Sequence, residues 1–158
     1  MQKLKYPLVA LCIIYLFLIF LVSCAKPHQV EFLSQACIVP VSGYEYKTCE
    51  PIVLIIDQER YVIPKDFETD LASIPRLLWP VLSPRYTSFV EPAILHDYLY
   101  QCAGFNNRKY ADEILYSALL SKNVTKFTAI KFYIGVRLFG AFHYNNSFDM
   151  NCMRTFNE

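Results

Sequence analysis

An uncharged, apolar run from Pro7 to Ser23 most constrains this chain, because residues that enter a membrane or are removed on export cannot belong to a folded core. Lys3 and Lys5 precede the run and supply the positive start of an export signal. The run also approaches the ~17–25 residues that a spanning helix needs, so an uncleaved transmembrane anchor is the alternative. Both interpretations predict that the rest of the chain is exported and stays attached to a membrane.

The run ends in Leu21-Val22-Ser23-Cys24, which resembles the lipobox of bacterial lipoproteins. The resemblance implies that residues 1–23 are a signal peptide, that signal peptidase II cleaves before Cys24, and that this cysteine receives lipid. Several acyl chains anchor a protein firmly, at about 0.8 kcal/mol per buried methylene. Ala25 is not an aspartate-type retention signal, which favours the outer membrane, on its periplasmic side. Residues 24–29 are then predicted to be a short tether.

Residues 30–158 have the length of a single domain. The formal net charge of the chain is +1, and no basic run or stripe is present. Nucleic-acid binding depends on such a stripe, so the charge pattern does not support a nucleic-acid partner.

The six cysteines agree with export. Cys12 leaves with the signal and Cys24 is lipidated, and the remaining four are Cys37, Cys49, Cys102 and Cys152. An even number in an oxidising compartment predicts two disulfides. Several pairings satisfy the count, and we favour Cys37–Cys49 as a local loop and Cys102–Cys152 as a clamp on the C-terminal tail. A zinc site is the weaker alternative, because no C-x-x-C or C-x-x-H spacing occurs.

The segment from Val30 to Ile63 is predicted to form a small antiparallel sheet or hairpin. Pro51–Ile56 is rich in β-branched residues, Asp57–Arg60 is a polar turn, and Tyr61–Ile63 returns as a second strand. Pro64 ends that strand, because proline has no backbone N–H for the ladder.

Three helices are predicted after this sheet, which makes the fold class α+β. Glu91 and Pro92 suit the first turn of a helix that ends near Cys102. The second helix is predicted from about Arg108 to Ser121, and the third from about Thr125 to Phe142. Apolar residues recur at helical spacing in both of them.

The candidate chemistry lies on the first two helices. His96 and Asp97 are adjacent, so they point about 100° apart and cannot pair with each other. Asp112 follows sixteen residues after His96, across a turn, so antiparallel helices would bring the two side chains together. A carboxylate that holds one imidazole nitrogen leaves the other as a general base. Asp70 and Asp97 are the candidate ligands of a divalent cation.

Purely structural roles are the alternative for each of these residues. A histidine inside a helix is often a hydrogen-bonded core residue. Asp97 can pair with Arg108 or Arg76, and Asp70 can cap a short helical turn.

Several motifs, in a specific order and spacing, resemble a family of uncharacterised domains that is common in tailed phages and prophages. They are Tyr61–Arg76, Trp79-Pro80, His96–Tyr100, Arg108 with Ala111-Asp112, and Val136–Gly140. The resemblance covers about Val53 to Gly140 and implies a phage or prophage origin, without an established activity.

A helix with His-Asp followed by a helix with Asp is also similar to secreted phospholipases A2. This resemblance implies that His96 is the base, Asp97 a calcium ligand and Asp112 the residue that orients His96. The chain departs from that family in two respects: it lacks the cysteines that flank the histidine, and it lacks a glycine-rich calcium loop.

Two hypotheses of different class follow. The first is an envelope hydrolase that acts on phospholipid or peptidoglycan through His96 and Asp112, and it requires these side chains to touch beside a water-filled recess. The second is a non-catalytic phage lipoprotein that binds an envelope or phage component, for example to exclude a second infecting phage.

Overall fold

The computed structural model describes residues 11, 12, 16, 26–43, 45–71, 87–102, 107–142 and 144. Within these ranges six strands precede three helices, which confirms the predicted α+β class. The strands are β1 (Val30–Phe32), β2 (Ile38–Ser42), β3 (Glu45–Thr48), β4 (Ile52–Ile56), β5 (Glu59–Ile63) and β6 (Glu68–Thr69). The helices are α1 (Thr87–Gln101), α2 (Arg108–Ser121) and α3 (Lys126–Phe139), followed by a 3-10 helix (Gly140–Phe142). None of the helices described here is long and apolar enough to cross a membrane.

The strands form two antiparallel sheets, in the orders β1-β4-β5 and β2-β3-β6. In the central strand β4, Ile52, Leu54 and Ile56 are fully buried, while the residues between them are half-buried. This alternation follows from the strand period of two, and it turns one face of the first sheet toward the helices. The three side chains belong to one core cluster with Ile94 and Leu95 of α1.

The β4–β5 hairpin is tighter than predicted. Asp57 and Gln58 both have positive φ, at 48° and 76°, and Ile56 pairs with Glu59. Two consecutive residues of positive φ form the two-residue turn whose twist matches that of the flanking strands. Glu59 and Arg60, which the polar composition assigns to the turn, are therefore part of β5.

Helix α1 begins one turn earlier than predicted. It starts at Thr87, so Pro92 lies inside the helix rather than at its beginning. Proline there removes one backbone hydrogen bond. The additional turn nevertheless forms, because its residues Phe89 and Val90 pack against the hydrophobic core.

Helix α2 has the predicted limits. Asn107 is its N-cap, and the Oδ1 atom of that residue accepts a hydrogen bond of 2.9 Å from the Tyr110 backbone N–H. Helix α2 packs between α1 and α3. On the α3 side, Leu115 and Leu119 form a second core cluster with Phe132 and Val136.

The predicted disulfide between Cys37 and Cys49 is confirmed. It joins the loop before β2 to the loop after β3. Cys102 is also disulfide-bonded, with a partner outside the described residues. Cys152 lies outside those residues too, so the Cys102–Cys152 pairing stays a prediction, as does the lipidation of Cys24.

The end of the predicted tether, Lys26 to Gln29, is part of the folded domain. The Lys26 backbone N–H donates to Glu113 Oε1 at 3.0 Å, and the His28 backbone N–H donates to Ser117 Oγ at 3.0 Å. The His28 ring is buried, with Nδ1 at 2.5 Å from Asp57 Oδ2. Lys26 and His28 of the predicted tether therefore contact the domain, through partners on α2 and in the β4–β5 turn that sequence order does not reveal.

Candidate functional site

His96 lies in the middle of α1, and Asp112 lies in the second turn of α2. The antiparallel packing of the two helices brings His96 Nε2 to 2.9 Å from Asp112 Oδ1. The contact between these side chains is therefore the one that the sequence spacing predicted. Their catalytic roles stay a prediction at this point.

Asp112 is the centre of a buried polar network. Its side chain is 0% exposed, and its Oδ1 atom accepts a second hydrogen bond, from the Tyr100 hydroxyl at 2.6 Å. Its Oδ2 atom accepts one from Arg137 Nη1 at 2.8 Å and lies 3.9 Å from Arg108 Nη1. A buried carboxylate is costly unless it is paired and hydrogen-bonded, and here both oxygens have partners.

These partners keep the carboxyl group of Asp112 ionised. Burial alone would raise the pKa of Asp112. The hydrogen bond and charge of His96, with the hydrogen bonds from Tyr100 and Arg137, outweigh burial, so the pKa lies below its ordinary value of 3.8. Asp112 is therefore an acceptor at neutral pH.

The ionised acceptor fixes the tautomer of a neutral His96. Because Asp112 accepts from Nε2, we assign the ring proton to Nε2, which leaves a lone pair on Nδ1. The Nδ1 atom is buried and has no hydrogen-bond partner among the described residues. A basic nitrogen held in this way, with its opposite nitrogen anchored by a carboxylate, is the arrangement of a general base.

The ring of His96 is closed to bulk solvent. Only 1% of its side chain is exposed, and the Tyr100 ring packs on it with centroids 4.0 Å apart. The water-filled recess that the hydrolase hypothesis requires is therefore not open at His96 in this arrangement. A groove of about 800 Å³ lies elsewhere, where His28, Ile55 and Ser117 are among its lining residues.

Tyr100 acts in this network as a donor. Burial first, and the charge of Asp112 second, raise the pKa of Tyr100 well above its ordinary value of 10.0, so its hydroxyl keeps its proton. Gly140 makes room for this hydroxyl, because a Cβ atom at position 140 would collide with it. Gly140 of the 3-10 helix therefore leaves space for the Tyr100 hydroxyl that donates to Asp112.

Two arginines connect α3 to the network. Arg137 of α3 donates to Asp112, and Arg108 of α2 donates to the backbone carbonyls of Val136 and Arg137 at 3.2 and 3.1 Å. Arg108 therefore caps the C-terminal end of α3 and helps to neutralise Asp112. Sequence reasoning did not assign either arginine to Asp112. The available signal for Arg137 was a charged residue directly beside the apolar residues of the last turn of α3.

Asp97 points to a different neighbour. The Thr69 hydroxyl donates to Asp97 Oδ2 at 2.5 Å, and the Leu71 backbone N–H donates to the same hydroxyl at 3.1 Å. Asp97 thus fixes β6 to α1, with Asp70 as the residue between Thr69 and Leu71. In the part of the chain described, no group of three or more His, Cys, Asp or Glu residues could hold a metal ion. The divalent cation at Asp70 and Asp97 stays a prediction.

Fold and site together define an α+β domain built around a buried His–Asp pair that tyrosine and arginine surround. Comparison with known families then places the chain. It belongs to the family described as Protein of unknown function (DUF1353), which matches residues 47–136, more than half of the chain. The match includes His96, Tyr100, Arg108 and Asp112. The chain matches no curated protein and no solved structure.

Proposed function

We propose that this protein is an exported, lipid-anchored hydrolase of phage or prophage origin that acts on the cell envelope. The observation that carries the proposal is the contact between His96 Nε2 and Asp112 Oδ1, which leaves Nδ1 with a lone pair and no partner among the described residues. Buried polar groups almost always have partners, so an unpaired basic nitrogen is typical of a site that receives one from a substrate or a water.

The chemistry is ester hydrolysis by a base-activated water. His96 Nδ1 removes a proton from water as the oxygen attacks the ester carbonyl carbon. Asp112 stabilises the imidazolium that forms. When the tetrahedral intermediate collapses, the imidazolium returns the proton to the leaving alkoxide, and the products are an acid and an alcohol. We favour a phospholipid ester as the substrate, because the predicted anchor would hold the domain at a membrane. An amide bond of peptidoglycan is the second substrate class, where the imidazolium would give its proton to a leaving amine and the products would be an acid and an amine.

The proposal requires the site to open, since a ring with 1% exposure does not meet bulk water. The same burial favours a second candidate function. In that candidate, the His96–Asp112 pair is a structural element of a non-catalytic lipoprotein that binds an envelope or phage component. The two candidates differ in whether His96 is needed for anything besides folding.

The experiment compares the wild-type chain with His96→Gln in vesicles of labelled phospholipid and, separately, with purified peptidoglycan. Glutamine keeps an N–H donor near the position of Nε2 but has no basic nitrogen, so the network around Asp112 is retained. We expect fatty-acid release by the wild type and a loss of roughly 10²–10⁴-fold in His96→Gln, the range typical of a missing general base. Release of peptidoglycan fragments instead would assign the other substrate class.

A wild-type protein that releases neither product, or a folded His96→Gln protein with undiminished activity, contradicts the hydrolase. The melting temperatures of both proteins are the control. If the melting temperature of His96→Gln falls, Leu95→Ala is the matched variant, because it removes a buried core side chain next to His96 and keeps the base. The hydrolase proposal requires Leu95→Ala to stay active at a temperature where both variants are folded.

A further inference from the structure

One side of α3, which we call its outer face, carries Phe127, Lys131, Ile134 and Leu138. These positions fall on one stripe of a helix with 3.6 residues per turn. Phe127 is 69% exposed and Leu138 47%, and both are among the large hydrophobic residues that the domain leaves in solvent. Ile134 and Lys131 are half-buried between them.

The opposite side of α3 is the one that packs in the core. Ala129, Phe132 and Val136 are buried there against α2. The helix is thus apolar on both sides, which is the pattern of a helix that is covered all round. Exposed apolar side chains along one stripe of a helix are suited to contact with another molecule or with lipid.

The charges of α3 favour lipid over a protein of mixed charge. The helix contains Lys126, Lys131 and Arg137 and no acidic residue. Arg137 turns inward to Asp112, while Lys131 Nζ lies 4.1 Å from the centroid of the Phe127 ring. A helix that carries basic but no acidic side chains, together with exposed apolar ones, is typical of the interface of anionic membranes.

We propose that the outer face of α3 inserts into the interface of a membrane that contains anionic phospholipid. Arg137, next to Leu138, turns inward and donates to Asp112 at 2.8 Å, so the His96–Asp112 pair lies on the core side of the helix that would insert. The inference deepens the proposed function and rests on it for its purpose, because it names the surface that would hold the domain against the membrane that contains its substrate. Insertion itself needs no catalysis, so the two claims can fail separately.

The test uses the full chain reconstituted into vesicles with brominated phosphatidylcholine, which quenches tryptophan fluorescence within the bilayer. One variant is Phe127→Trp. The matched control is Val41→Trp, since Val41 of β2 is also an exposed apolar residue, at 50%, on a different surface. The wild-type signal, which comes from Trp79, is subtracted from both.

We expect brominated lipid to remove roughly half of the emission that the Phe127→Trp substitution adds, as for a side chain buried ~5–10 Å into the interface. The emission that Val41→Trp adds should lose little. Replacing part of the phosphatidylcholine with phosphatidylglycerol is expected to increase the quenching in Phe127→Trp, because a lysine near an anionic surface is attracted to it.

Equal quenching in the two variants would overturn the proposal, since it would mean that the anchor alone holds the domain against the membrane. Absence of quenching in Phe127→Trp would overturn it as well. That result would favour a protein, rather than lipid, as the partner of the outer face. Hydrolysis, measured in the same vesicles, reports separately on the proposed function.

Discussion

At the scale of single residues, Asp112 determines the character of the site. Its two carboxylate oxygens accept hydrogen bonds from a histidine, a tyrosine and an arginine, and a second arginine lies within ion-pair distance. Removing one partner from such a buried network leaves uncompensated charge, which typically costs ~3–5 kcal/mol. A carboxylate in this position both stabilises the domain and fixes the histidine tautomer.

The lowered pKa of Asp112 predicts an acid-dependent loss of stability. Below its ordinary pKa of 3.8, the unfolded chain binds a proton that the folded chain still excludes. The contribution of Asp112 to the free energy of unfolding is therefore complete above that pH and is lost as the pH falls through the folded value. Urea unfolding of the wild type and of Asp112→Asn, between neutral and acid pH, measures it.

We expect Asp112→Asn to be less stable than the wild type by roughly 3–5 kcal/mol at neutral pH, with the difference shrinking in acid. Asp66→Asn is the control, because Asp66 is 58% exposed and its ion pair with Lys47 is worth at most about 1 kcal/mol. A difference between wild type and Asp112→Asn that does not change with pH would contradict the lowered pKa.

The pairing of His96 with Asp112 could be predicted because the two residues lie on consecutive helices that few residues separate in sequence, so that their spacing indicates comparable heights along antiparallel helices. Arg137 could not be found in this way. Its contact with Asp112 spans 25 positions and depends on how α3 packs on α2, for which sequence spacing gives no rule. The partners of His28 were missed for the same reason.

At the scale of secondary structure elements, Arg108 joins the end of α3 to the start of α2. Its guanidinium donates to the carbonyls of Val136 and Arg137 in the last turn of α3, of which the Val136 carbonyl also accepts from the Gly140 backbone N–H. Arg108 therefore adds a polar contact between the two helices to the packing of their apolar side chains.

We expect Arg108→Met to destabilise the protein by about 1.5–3 kcal/mol, the range for hydrogen bonds from a charged group, and to fray the end of α3. Hydrogen–deuterium exchange should become faster in the segment from Val136 to Phe142 and stay slow in the core of α1. Lys109→Met is the matched neighbour, since Lys109 is 51% exposed and its ion pair with Glu113 is long, at 3.6 Å. Equal exchange in both variants would show that Arg108 does not hold α3.

The elements differ in how well the sequence predicts them. Helix α2 has an N-cap and an apolar stripe that define its limits locally. For helix α1 the sequence predicts a start at Glu91, because Pro92 suits a first turn, and the structure adds the turn from Thr87 because tertiary packing of Phe89 outweighs one missing hydrogen bond. In the β4–β5 turn, the positive φ values of Asp57 and Gln58 are set by the strand twist, which composition does not encode.

At the scale of the whole molecule, the proposed lipid anchor would lie close to the folded domain. Lys26 and His28 are hydrogen-bonded to α2, and Cys24 precedes Lys26 by only two positions. A lipid on Cys24 would then hold the domain close to the bilayer rather than on a long, flexible linker. A short distance of this kind would suit the proposed action on a membrane lipid.

The anchor itself is tested by metabolic labelling with radioactive palmitate in a bacterial host. We expect the wild-type chain to take up label and to shorten by its signal peptide. Cys24→Ser should take up none and should keep its full length, because the peptidase recognises the cysteine. Label that persists in Cys24→Ser, or a wild-type chain that remains unlabelled and uncleaved, would favour the transmembrane anchor instead.

The most direct test of the whole account is the protonation of the two ring nitrogens of His96, measured by ¹⁵N NMR of selectively labelled protein under the conditions of the hydrolysis assay. The account predicts a proton on Nε2, held by Asp112, and a bare nitrogen at Nδ1. A proton found on Nδ1 under those conditions would contradict it, because no lone pair would remain to activate water.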